Sequence, residues 1–133
     1  MHDVAAWQAL LDHNDRLFDE LEPGASALLL GKAEWDAGVG HALLWRKGEQ
    51  RMEASLVPWT GITGSAADFI FVALRDAFAR LDDADTGVRL GLLREQVREG
   101  DMLFFITKNC ADLDVGWDAF LESLGHAFMG ACR

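Results

Sequence analysis

Tyrosine is absent from this chain, so no phenol is on hand for acid–base or nucleophilic work, and histidine is limited to His2, His13, His41 and His126. Those four fall in different segments. None stands beside a Cys, another His or a carboxylate at the spacing a metal ion needs. There is no Gly-x-Ser-x-Gly elbow and no phosphate-binding loop. The stretch Gly61-Ile62-Thr63-Gly64-Ser65 superficially resembles an anion nest ahead of a helix, but it lacks a Lys, and Asp68 would repel a phosphate. Asp82, Asp83 and Asp85 with Thr86 do not follow the twelve-residue calcium-loop pattern. The expectation is a protein with no catalytic site, no metal and no cofactor.

Cysteine is equally scarce. Cys110 and Cys132 read as free thiols in a reducing compartment rather than as a staple. No apolar run approaches the length of a membrane span; residues 69–74 are among the longest. Met1-His2-Asp3-Val4 opens with no basic segment and no apolar signal core, so the chain is expected to stay in the cytoplasm. Positive charge is in the minority, with 12 Lys and Arg against 22 Asp and Glu and a formal net charge of −10. Phosphate binding needs a basic surface, so nucleic acid is excluded as a partner, and an anionic membrane is excluded on the same ground. A field of this sign suits solubility and steering toward a basic protein.

What the chain does have is apolar mass. Half of its 133 residues are hydrophobic, enough for one domain over 1–133 to bury a core without staples. Residues 3–22 predict a helix, with Trp7, Leu10, Leu11, Leu17, Phe18 and Leu21 on one face, Asp3 as its cap and Pro23-Gly24 at its end. Three strands are expected at 27–35, 41–46 and 51–57, the last alternating between Met52, Ala54, Leu56 and Arg51, Glu53, Ser55. Ser65 and Asp68 form a variant capping box ahead of a second helix carrying Phe69, Ile70, Ala73, Leu74, Ala77, Phe78 and Leu81. Residues 88–99 fit either element: Leu90, Leu93 and Val97 suit a helix, while Val88, Leu90 and Leu92 suit a strand, which we favour. Residues 102–107 read as a buried strand. Asp112 or Asp114 opens a final helix with Trp117, Phe120, Leu121, Leu124 and Phe128 inward. The fold class is α+β: helix, three antiparallel strands, helix, two strands, helix, with the sheet packed by helices.

Five tryptophans are many for this length. Trp7 and Trp117 fall on helix core faces, while Trp35, Trp45 and Trp59 lie on or beside the three-stranded segment. Leu43 and Trp45 share one side of the second strand and Leu44 takes the other. Strands apolar on both faces need cover on both, and aromatic anchors are what interfaces favour. Trp35, Leu43, Trp45, Met52, Leu56 and Trp59 are therefore candidates for partner binding. The second helix is apolar on more than one side, which makes Phe69, Phe71, Leu74 and Phe78 candidates for a dimer interface.

The runs Ala73-Leu74-Arg75-Asp76-Ala77-Phe78, Thr86-Gly87-Val88-Arg89-Leu90-Gly91-Leu92 and Gly100-Asp101-Met102-Leu103-Phe104-Phe105 bear a family resemblance. With Asp112-Leu113-Asp114 leading into Trp117, Phe120, Leu121 and Leu124, this pattern resembles the small acidic type III secretion chaperones of the effector-specific class, and equally the YbjN-like domains. The likeness covers about half the chain by pattern. It implies a homodimer across whose sheet and first helix an unfolded client wraps. The function expected is thus a non-enzymatic acidic module that holds a client protein such as a secreted effector. The alternative is an immunity protein that blocks the basic active site of a toxin.

Overall fold

Five strands make one mixed sheet in the order β3–β2–β1–β4–β5. The computed structural model describes residues 3–62, 66–108 and 112–125. His2, Ser65, Cys110, His126, Phe128 and Cys132 lie outside the described residues, and with them the expected capping box, both thiols and the end of the last helical face.

Helix α1 (Val4–His13) starts where the Asp3 carboxylate accepts the Ala6 backbone N–H, and it buries Trp7, Leu10 and Leu11. It is shorter than the 3–22 span expected. A 3-10 turn (Asp15–Phe18) follows, which still delivers Phe18 and then Leu21 to the core. Strands β1 (Ser26–Gly31), β2 (His41–Lys47) and β3 (Met52–Pro58) pair antiparallel, with Leu29 opposite Leu43 and Trp45 opposite Ala54. The first strand does not run on to Trp35. It stops at Gly31 and the chain turns into helix α2 (Lys32–Ala37), which ends at Gly38 with φ of 71°, a left-handed conformation that glycine adopts without strain.

Two further expectations are corrected. Residues 69–73 are strand β4 (Phe69–Ala73), parallel to β1, and the helix expected there begins only at α3 (Ala77–Asp83). The run Phe-Ile-Phe-Val-Ala is buried at every position, so both strand faces are apolar and no alternation is left to read. Residues 86–99 are helix α4 (Thr86–Glu99) rather than a strand. Its inner side buries Arg89 and Gln96 beside Leu93, which erases the apolar stripe that marks a helix. Arg89 reaches the carbonyls of Asp82 and Ala84 at 3.2 and 2.7 Å and lies 4.9 Å over the Trp7 ring. Gly100, with φ of 83°, closes α4 and leads into β5 (Met102–Ile106), antiparallel to β4. A 3-10 turn (Val115–Trp117) and α5 (Asp118–Ser123) follow.

The α+β class and the helix-packed sheet stand. All the helices but α2 cover one face, where Trp7, Phe18, Leu29, Trp45, Phe71 and Phe120 belong to a single cluster. Rings meet edge-on across it: Phe18 with Trp45, Trp45 with Phe120, and Phe71 with Phe120. Such pairs add about 0.5–1.5 kcal/mol each beyond the area they bury. The opposite face carries a smaller cluster of Leu28, Leu30, Ala42, Trp59, Ala67, Ile70 and Val72, against which Trp35 of α2 packs.

Candidate functional site

Strand alternation decides which sequence candidates reach a surface. Leu43, Trp45 and Met52 point to the helix-covered face and belong to the large core, with Trp45 at 0% exposure. They offer nothing to a partner. Leu56 is half-buried opposite Leu43, on that same face. Phe69, Phe71 and Phe78 are also core residues, and Leu74 is half-buried just past β4, so these four do not make the exposed helical face expected of a dimer interface. The helical spacing behind that expectation runs through a segment that is half strand.

Trp35 and Trp59 do come together, on the thinly covered face. Their rings stack with centroids 5.9 Å apart and an interplanar angle of 19°. Phe105, which is not among the candidates expected from sequence, stacks on Trp35 at 4.9 Å and 7°. A ladder of three near-parallel rings therefore crosses this face from the end of β3 to β5. Phe105 is 36% exposed, and Trp35, Leu44, Val57 and Leu103 are half-buried around the smaller cluster. The cover is slight because α2 has only six residues and buries none of them fully. Phe105 was legible in principle: in β5 it alternates with Phe104, which packs into the large core.

The two sheet edges differ. On β3, the Gln8 side chain of α1 occupies the outer backbone groups, donating to the Met52 carbonyl at 2.9 Å and accepting from the Ala54 N–H at 2.8 Å. Strand β5 has no partner strand on its outer side among the described residues. An unpaired strand edge is a template for another extended chain. Beneath Trp59, a groove of about 330 Å³ runs over Leu28, Leu44 and Val57 and is bordered by Arg46.

Carboxylates gather elsewhere. Glu22, Asp68, Asp112, Asp114 and Lys108 surround an open depression of about 510 Å³. Two of these acids are engaged as structural clamps. Asp68 accepts the Trp117 indole N–H at 2.8 Å and the Ser26 N–H at 3.3 Å, and it pairs with Lys108 at 2.6 Å. Asp114 accepts the backbone N–H of Glu22 and of Gly116, both at 2.8 Å. Among the described residues, no group of His, Cys, Asp or Glu has the arrangement to hold a metal ion, and no helix is long and apolar enough to cross a membrane.

No family model matches the chain, and no curated protein does. One solved structure, a UbiJ-SCP2 ubiquinone synthesis protein, is similar at 14% identity with a TM-score of 0.49, over 92% of this chain and 89% of that one. A likeness of that order says nothing about what this chain binds.

Proposed function

We propose that this protein is a non-enzymatic acidic binding module that takes an extended segment of a client protein on its thinly covered sheet face, adjoining β5. The observation that carries the reading is the Trp35–Phe105 stack at the rim of a strand edge that no described strand pairs. Strand addition supplies backbone hydrogen bonds, and alternate side chains of the added strand meet the apolar ledge of Leu103, Phe105 and Trp35. Gln8 occupies the Met52 carbonyl and the Ala54 N–H at the start of the β3 edge, which favours β5 as the docking side. The net charge of −10 favours clients with basic residues at the intervening positions.

This is the behaviour of a secretion-chaperone-like protein that keeps a client in an extended state. A toxin-blocking role draws on the same charge but requires a folded partner. Binding of short unfolded peptides to the purified protein, compared with binding of folded basic domains, separates the two. Retention of peptides with alternating apolar and basic residues supports the client-holding role. Selective capture of a folded basic domain, with no peptide bound, overturns it.

A further inference from the structure

The groove beneath Trp59 differs in charge from the molecule that carries it. The chain has a net charge of −10, yet the described residues that line the groove include Arg46 and no Asp or Glu; Glu53, opposite Arg46 on β3, lies outside the lining. The floor is apolar, made by Leu28, Leu44 and Val57. These residues alternate with the core-facing positions of β1, β2 and β3, so the sheet itself fixes their direction. No described carboxylate pairs with the Arg46 guanidinium. Trp59 is 4% exposed, and its Nε1–H has no acceptor. At about 330 Å³ the groove lies at the small end of ligand-sized pockets.

We infer that this groove binds a small monocarboxylate with an apolar body, of the order of octanoate in size. The carboxylate meets the Arg46 guanidinium. The body lies on Leu28, Leu44 and Val57 beside the Trp59 indole. A free ammonium in the same place would face Arg46 with no counter-charge in the lining. The site goes beyond the client-binding reading: its occupant is a small molecule, and it sits on the β1–β3 half of the face, whereas the client ledge is at β5. Either reading therefore survives the failure of the other.

The test is calorimetric titration of the full-length protein with octanoate, octanol and octylamine, together with proton–nitrogen NMR of the indole N–H groups. Octanoate is expected to saturate a single site and to shift the Trp59 indole resonance. Octanol is expected to bind more weakly and octylamine not at all. Arg46→Gln, a change at an exposed side chain, is expected to weaken octanoate roughly tenfold, in line with the loss of a charge-assisted contact. The inference is overturned by absence of saturable octanoate binding at millimolar concentration, by equal affinity for the three head groups, or by an Arg46→Gln variant that is folded and binds as the wild type does. Binding of a peptide with an apolar free carboxy-terminus, where octanoate does not bind, overturns it as well.

Discussion

Trp117 donates its indole N–H to the Asp68 carboxylate across 2.8 Å, with both side chains shut off from solvent. The bond ties the 3-10 turn before α5 to the start of β4. The same carboxylate holds the Ser26 N–H at the start of β1 and the Lys108 ammonium beyond β5. Asp68→Ala leaves a buried indole and a backbone N–H without their acceptor and is expected to lower stability by about 3 kcal/mol. Asp68→Asn retains an acceptor oxygen and is expected to lose less. Urea unfolding of the two variants at neutral pH measures both values; an Ala variant as stable as the wild type contradicts the clamp.

A glycine pair gives effects of opposite sign. A Cβ on Gly116 would sit 2.5 Å from the backbone C and O of Glu20, so neither neighbour has a flexible side chain to move aside. Gly116→Ala is expected to destabilise by about 2–3 kcal/mol. Gly91 lies inside α4 with nothing near its Cβ position. Gly91→Ala is expected to stabilise by about 0.5–1 kcal/mol, since alanine loses less backbone freedom on folding into a helix. Thermal melts of the two variants should move in opposite directions.

Gln8 is expected to protect the β3 edge as well as join α1 to it. Gln8→Ala frees the Met52 carbonyl and the Ala54 N–H. The expected result is a loss of about 1–2 kcal/mol together with self-association at high concentration, because two outward strand groups become available. Light scattering against concentration reports the second effect. A variant that stays as monodisperse as the wild type contradicts the protective role.

Much of this architecture was legible in the sequence, and the rest was hidden for identifiable reasons. The Asp3 cap, the alternation of β3 and the strand at β5 all found their elements, although β5 is an edge strand in which only Met102 is fully buried rather than the buried strand expected. Strand β4 was lost because Phe69 through Ala73 are buried on both sides, and an unbroken apolar run has no period to read. Helix α4 was lost because Arg89 and Gln96 occupy inward positions that periodicity expects to be apolar, and Gly87 and Gly91 weaken the helical signal. The three tryptophans near the β1–β3 segment were singled out together, yet they divide between faces. Trp45 lies within a strand and faces the helices, whereas Trp35 and Trp59 reach the open face from α2 and from the residue after β3. Their approach to each other, and to Phe105, depends on strand order, which no local pattern encodes.

That division predicts a separation of stability from binding. Trp45→Ala empties a fully buried site and is expected to cost about 3–5 kcal/mol. Phe105→Ser acts at a partly exposed position and is expected to stay within about 1 kcal/mol of the wild type. Denaturation midpoints of the two variants check the contrast. Equal losses would mean that the ring ladder is part of the core rather than a ledge.

The most direct test of the open face as the client surface is peptide binding by the double variant Trp35→Ser, Phe105→Ser, compared with the wild type on one array of unfolded peptides. The wild type is expected to retain peptides with apolar residues at alternate positions and basic residues between them. The folded double variant is expected to lose roughly tenfold in affinity or more, the usual scale for removing aromatic anchors. A wild type that retains no peptide, or a double variant that retains the same set with the same affinity, contradicts the account.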